Sequence, residues 1–426
     1  MIITAPSLDP TQNVSGVSSV VQFIIDNNKE REYLHFQIGK ADRESGGIWS
    51  RVRRIRNTYS DWKKLLADNK DAKIHYSFPL SAPSILRDPW FMRYALKKGY
   101  GMVVHVHGGL FLTAPKIPFI LDRILKWVFS WDVPFIVLSE GEKEILKSRF
   151  GAKRVEVLAN CPDIPVGMYD TLTLRYADVT IRSVTYETPN PNDNPNSNLN
   201  DNDNLEPLND GTLEPLLRAY QWSLYPSRSP RYRGAETPEH QLERKNQREA
   251  LVLGYLGRIE PNKGMGELLE ALKKCKAEGM RFKVCFAGKE QKEGEYLPRY
   301  EEALGEDFEY CGLVSGETKR KFLDSLDVFV MPTYFEGLPM SLLETMGCGV
   351  VPVVTNVGSI ATVVKDGENG LFIKVKDVDS IVDALMKLDN DRSLLLQMQQ
   401  KARKTIADNF SAERYVEKLN RIYDSI

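Results

Sequence analysis

The chain has 426 residues, 42% hydrophobic and 27% charged, too long for a single core and ordinary in mixture for a globular protein of two domains. Its most apolar stretch, 117–138, is broken by Asp122, Arg123, Lys126 and Asp132, which excludes a membrane span, and its five cysteines (Cys161, Cys275, Cys285, Cys311, Cys348) are odd in number and lack any CxxC spacing, which argues against a disulfide framework or a zinc site and for reduced thiols in a cytoplasmic protein. The net charge of −1 hides an asymmetry: residues 1–164 carry 24 Lys and Arg against 17 Asp and Glu, the remainder 33 against 41, so the first part suits an anionic partner, and no motif accompanies the charge that would make that partner a nucleic acid.

The opening residues, MIITAPSLDP, have no basic region ahead of an apolar run. They read as a buried β-strand and not as a secretory signal. Further strands are predicted at 33–38, 73–78, 102–107, 135–138 and 154–158, with helical patterns between them. This alternation is that of βαβ units on a parallel sheet. Gly16 follows the first strand and opens an apolar-periodic segment over 17–25, as in the first turn of a nucleotide fold. A basic amphipathic helix is predicted over 49–66, with Val52, Ile55, Tyr59, Trp62, Leu65 and Leu66 on one face and Arg51, Arg53, Arg54, Arg56, Lys63 and Lys64 supplying charge. Such a helix suits either an anionic membrane surface or a domain helix with a solvated basic face.

Residues 188–210 hold nine Asn, four Asp and four Pro, too few apolar groups to offset the entropy of ordering them. The region 166–247 therefore reads as an insertion with a disordered centre. Its later part, 213–233, interleaves Tyr220, Trp222, Tyr225 and Tyr232 with Arg218, Arg228, Arg231 and Arg233, as a docking segment or a partly ordered linker would. A second α/β pattern follows, with strands predicted at 251–256, 282–287, 308–311, 328–331, 350–354 and 371–375. Leu268, Leu269, Leu272 and Cys275 mark its first helix by their spacing. The chain closes on a helix capped by Ser411, with Tyr415, Leu419 and Ile422 as its apolar stripe. The predicted domains are 1–165, 248–410 after the insertion, and a terminal helix at 411–426.

Two segments carry the chemistry. The strand at 251–256 runs into GRIEPNKG, residues 257–264, and then a helix. That junction gathers backbone N–H groups and a helix dipole, which favours an anion, and Arg258 and Lys263 add two cations. An ordinary βα turn with solvated charges has the same outline. The second segment, FEGLPMSLLE at 335–344, follows a strand and has Pro339 suited to a first helical position. Free N–H groups are expected near Gly337, Leu338 and Met340. Glu336 precedes the helix, and Glu344, a turn inside it, leans back toward the same place, where a carboxylate can accept both hydroxyls of a ribose. The plainer alternative makes Glu344 a solvated helix residue and Glu336 a partner of the helix dipole.

GRIEPNKG, FAGKE (286–290), CGLVSGE (311–317) and FEGLPMSLLETMGCGVVPVVTNVGS (335–359) together resemble the retaining glycosyltransferase family 4 (group 1), closely over 248–426 and more loosely over 1–163. The seven residues between Glu336 and Glu344 match the spacing of that family's paired glutamates. The resemblance implies the GT-B fold, two facing Rossmann-like domains with a cleft between them and a C-terminal helix crossing back. It implies that Arg258 and Lys263 bind the donor diphosphate, Glu344 the ribose, Glu336 the donor sugar, and the backbone at Leu313 and Val314 the base. HVHGG, 105–109, would place His107 near the transferred sugar, although a histidine at a strand end also serves as a structural residue. NVSGV, 13–17, stands where the family has two adjacent glycines, with Ser15 in place of the first. The long Asn-rich insertion departs from the family.

The chain is read as lacking an Asp-x-Asp motif and any His/carboxylate cluster suited to Mg²⁺ or Mn²⁺, so Arg258, Lys263 and a helix N-terminus would stabilise the departing diphosphate without metal. The expectation is an enzyme with no cofactor, moving a sugar from a UDP- or GDP-type donor to a saccharide or lipid-linked acceptor with retention, in surface polysaccharide or glycolipid synthesis, cytoplasmic or peripheral on the inner membrane face. A phosphorylase or sugar-nucleotide epimerase of the same architecture, or a silent nucleotide-sugar-binding subunit, are the alternatives.

Overall fold

In the computed structural model, residues 1–9, 15–39, 47–114, 116–162 and 250–426 are described. The predictions for 166–247 lie outside these residues. The N-terminal lobe runs β1 (Ile2–Ala5), α1 (Gly16–Asn27), β2 (Leu34–Gln37), α2 (Ile48–Asp68), β3 (Ile74–Phe78), α3 (Ala82–Lys97), β4 (Met102–Val106), α4 (Leu110–Thr113), α5 (Phe119–Phe129), β5 (Phe135–Val137), α6 (Glu140–Phe150) and β6 (Val155–Val157). The C-terminal lobe runs β7 (Leu251–Leu256), α7 (Met265–Ala277), β8 (Phe282–Ala287), α8 (Leu297–Leu304), β9 (Phe308–Tyr310), α9 (Gly316–Ser325), β10 (Val328–Met331), α10 (Met340–Gly347), β11 (Val351–Thr355), β12 (Leu371–Ile373), α11 (Val378–Asn390), α12 (Arg392–Asn409) and α13 (Ala412–Asp424). All twelve predicted strands form, most of them shorter by a residue or two than the apolar run that announces them.

Each lobe is built on a parallel six-stranded sheet. β1, β3 and β4 are buried along their whole length, as strands covered on both faces must be. The two sheets differ in order. The second, β12-β11-β10-β7-β8-β9, is the dinucleotide-fold order read from its far edge, whereas the first, β2-β1-β3-β4-β5-β6, begins in the flavodoxin-like manner. Either order reverses direction once, between β1 and β3 in the first sheet and between β7 and β10 in the second. Open α/β sheets leave a crevice beyond the strand ends at that point.

One face of the first sheet packs Trp62, Leu66, Phe91, Leu125 and Phe129 from α2, α3 and α5 against Tyr76 and Val104. The other packs α1 and α13 against Ile3, Ala5 and Val103. Thus the last helix lies on the lobe that the first strand began. Ser411 Oγ caps it, accepting from Arg414 N at 3.4 Å, and Tyr415, Leu419 and Ile422 are buried. Polar contacts fix the docking: Asn28 Nδ2 donates to Asn420 Oδ1 at 2.8 Å, Arg31 pairs with Asp424, and Lys73 Nζ donates to the Tyr423 carbonyl at 2.8 Å.

Candidate active site

The crevices of the two sheets open into one cavity of about 680 Å³. Most of its walls come from the ends of the four strands that flank the two reversal points. Gly16 and Val17 follow β1, Pro79 and Ser81 follow β3, Arg258 follows β7, and Glu336 to Met340 follow β10. His107 enters from the end of β4, and Asn160 from beyond β6.

The lobes meet backbone to backbone. Gly108, at φ +68°, faces Gly337 so closely that a Cβ on Gly108 would stand 2.7 Å from the Gly337 Cα. Only residues without side chains allow the His107 turn and the Glu336 loop to touch in this way. Around this contact Asn160 Nδ2 donates to the Leu338 carbonyl at 2.7 Å, and Ser359 Oγ bonds to Ser139 Oγ at 2.9 Å and donates to Glu142 Oε1 at 3.3 Å. Glu142 also accepts from Leu138 N at 2.8 Å, and burial raises its carboxyl above the ordinary range.

On the C-terminal side, Gly264 at φ +71° turns the GRIEPNKG loop into α7, so close to β10 that a Cβ would stand 2.2 Å from the Pro332 carbonyl oxygen. This turn holds Lys263 in an ion pair with Glu336 Oε1, both half-buried. Arg258 presents its side chain to the cavity, while its carbonyl accepts from the Tyr255 hydroxyl at 2.6 Å. Pro339 is the cap residue of α10 and not its first helical residue: its ψ of 131° is extended, and Met340 begins the helix. The N-terminus of α10 therefore opens one residue later than the sequence suggested, still against the cavity.

Glu344 is buried and does not line the cavity. Its carboxylate accepts from Lys319 Nζ of α9 at 2.8 Å. Lys263 also lies behind the lining, through Glu336. Leu313 is 47% exposed in the loop before α9, and Val314 packs on the lobe's core. His107 has a buried Nε2 without a partner, and burial pushes its imidazole down to about 3, so it is neutral at physiological pH. Behind it stand His105, stacked ring on ring at 4.1 Å, and His75, whose Nε2 lies 3.2 Å from His105 Nδ1 and whose Nδ1 lies 2.7 Å from the Tyr423 hydroxyl.

Lys289, Gln291 and Asn160 are cavity residues that sequence reasoning did not single out. The first two follow β8, so the rule that selected Arg258, a polar residue just past a strand end, also reaches them. The reading that the chain lacks Asp-x-Asp needs correction, because such triplets occur at 201–203, 377–379 and 389–391. In the two that are described, Asp377 and Asp391 cap helices, Asp379 pairs with Lys274 and Asp389 with Arg392, and none lines the cavity.

Residues 237–405 match the family of glycosyl transferases group 1. The match takes in GRIEPNKG, FAGKE, CGLVSGE and the Glu336–Glu344 segment, that is, the C-terminal wall of the cavity. Curated relatives match part of the chain. The capsular polysaccharide biosynthesis glycosyltransferase CapM of Staphylococcus aureus is 30% identical over 175 residues, which are 41% of this chain and 46% of that protein. The UDP-Gal:alpha-D-GlcNAc-diphosphoundecaprenol alpha-1,3-galactosyltransferase of Escherichia coli is 32% identical over 101 residues, 24% of this chain and 26% of that one. The chain thus spans less than half the length of these curated relatives. Among solved structures, HepE of Anabaena in complex with UDP-glucose has a TM-score of 0.65 at 11% identity and covers 100% of this chain and 99% of its own. Sucrose-phosphate synthase of Thermosynechococcus elongatus has 0.66 at 13%, covering 100% and 98%. At those identities the likeness is one of fold: the two-lobed α/β architecture is the GT-B fold.

Proposed function

We propose that the cavity binds a nucleotide diphosphate-sugar and that the protein transfers the sugar, with retention and without metal, to a saccharide or lipid-linked acceptor. The observation that carries this reading is the convergence of Arg258, the Lys263–Glu336 pair and the N-terminus of α10 at one wall of the interlobe cavity. Fixed positive groups there oppose the charge that grows on a departing diphosphate, in a recess where they act more strongly than in bulk water. The ribose falls to Glu344, which its ion pair with Lys319 orients as a hydroxyl acceptor, and the base to the 313–314 loop.

On the facing wall, neutral His107 offers a hydrogen bond to the sugar without adding a charge. Gly16, at the start of α1, leaves room at the acceptor side: a Cβ there would meet nothing within 4 Å. Glu336 does two things in this reading. It holds Lys263 in place, and its second oxygen is available to the donor sugar.

The names of the relatives support the donor and acceptor classes: the E. coli protein takes UDP-galactose and a diphosphoundecaprenol-linked sugar, and HepE holds UDP-glucose. We therefore place the protein in surface polysaccharide or glycolipid synthesis. The test is donor turnover across UDP-, GDP- and ADP-sugars, with and without acceptor. A donor that is consumed faster with an acceptor, giving a product of the donor's own anomeric configuration, is the expected result. Turnover that needs inorganic phosphate would make the protein a phosphorylase, and conversion of the donor without acceptor would make it an epimerase.

A further inference from the structure

Among the described residues, twelve large apolar side chains are exposed, and eight of them sit on only three helices, α2, α3 and α5. These are the helices of a single layer. α2 packs beside α3 and α3 beside α5, all on the face of the first sheet opposite α1 and α13. The exposure is large: Trp49 is 85% exposed, Trp90 63%, Phe119 72% and Ile120 65%. They are also joined. Trp90 of α3 and Trp127 of α5 lie with ring centroids 5.9 Å apart, bridging the two helices on the outside of the layer.

The layer is basic as well as apolar. α2 alone carries six Arg and Lys against two Asp, and the Arg123 guanidinium lies over the Phe119 ring at 5.6 Å. Cations set among exposed aromatic rings match a surface with anionic headgroups outside and acyl chains beneath. A solvated domain face has the charges without the tryptophans. No described helix is long and apolar enough to cross a membrane, so the contact is one of lying on the surface.

We propose that the outer face of α2, α3 and α5 docks the protein on an anionic lipid bilayer. The geometry gives the docking a direction. In βα units each helix starts where its strand ends, so the first turns of α2 and α5, with Trp49, Phe119 and Ile120, lie at the same edge of the sheet as the cavity. Docked by the face with that edge against the headgroups as well, the protein holds the acceptor side of the cavity beside the surface, where the sugar of a lipid-linked acceptor stands. This last step rests on the transferase reading above; the docking itself does not.

The test is flotation of the full-length protein, without donor, on vesicles of phosphatidylcholine alone and of phosphatidylcholine with phosphatidylglycerol. The protein should float with the mixed vesicles only, and added salt should release it. The double variant Phe119→Ser/Ile120→Ser, whose side chains are already largely in water and whose fold should be intact by circular dichroism, should bind the mixed vesicles about tenfold or more weakly. Arg53→Glu/Arg56→Glu should abolish the preference for the anionic lipid. Equal binding to both vesicles, or unchanged binding by the Phe119/Ile120 variant, would overturn the proposal. So would a dimer in sedimentation that this variant converts to monomer, since the face would then cover a second copy. Donor turnover with a soluble acceptor, measured in parallel, fails only if the transferase reading fails.

Discussion

At the scale of single residues, the site divides labour by position. Arg258 faces the cavity and Glu344 is buried on α10 away from it, so the two should fail differently when replaced. Arg258→Ala should lower kcat by about 10² to 10³, the usual loss for one preorganised charge stabiliser. Glu344→Gln should raise the donor KM more than it lowers kcat, because a ribose contact changes little on the way to the transition state. Steady-state kinetics with varied donor, with calorimetry of nucleotide diphosphate binding, separates these cases. Normal turnover with poor binding in Arg258→Ala would reduce that cation to a docking group. These residues were legible because each stands at a fixed offset from a strand end or a helix start. The pairing of Lys263 with Glu336, and of Glu344 with Lys319, was not, since each joins elements 73 and 25 residues apart in sequence and no local pattern reports that. Nor could periodicity show that His75, His105 and Tyr423 form one buried file, because its members come from three separate elements.

Among elements, the strands were the most readable, being apolar runs of the right length between turn residues. Their order was less so. The pattern βαβα gives a parallel sheet but does not say on which side β2 inserts, and the two lobes answer that differently. The helix over 49–66 also had two readings, and its second half is packed as a domain helix. Trp62 and Leu66 are buried in the core while Trp49, Val52 and Ile55 are exposed, because the helix dips into the sheet only along its second half. The last helix was legible both as an amphipathic stripe and, through the family resemblance, in its destination. Its Tyr423 hydroxyl is the partner of His75. Tyr423→Phe should therefore cost about 1–3 kcal/mol, the price of leaving a buried imidazole nitrogen unpaired, read as a lower melting temperature with donor binding unchanged.

For the molecule as a whole, the three neutral histidines set an acid limit. His75 and His107 are pushed by burial down to about 3, and His105 is also lowered well below 6.5 by burial and then by its two histidine neighbours. Unfolding raises each back toward 6.5, so the unfolded chain binds more protons at mildly acid pH. Stability from this source is full above pH 6.5 and falls as the pH drops below it, by up to about 1.4 kcal/mol per pH unit for each group. Denaturant melts between pH 7 and pH 5 should show the decline, and His105→Gln should flatten it. Transfer should persist in excess EDTA; loss of activity restored by Mn²⁺ or Mg²⁺ would overturn the reading of Arg258 and Lys263 as the charge stabilisers. Deleting 190–208 should leave donor binding intact, as no proposed ligand of the diphosphate lies there, and calorimetry on the deleted protein checks it.

The contact of Gly108 with Gly337 gives the cleft a gauge. Two bare backbones touching set the separation of His107 from Glu336 with no side chain to yield between them, so a single methyl group becomes a shim. In Gly337→Ala the new carbon would stand 3.0 Å from Leu138 Cδ1 and 3.1 Å from the His107 carbonyl, and the walls must part by a few tenths of an ångström to admit it. In the proposed reading nucleotide diphosphate affinity belongs to one wall and should then survive, while sugar transfer needs both and should drop. A residue with no functional group of its own thereby sets the reach of those that have one.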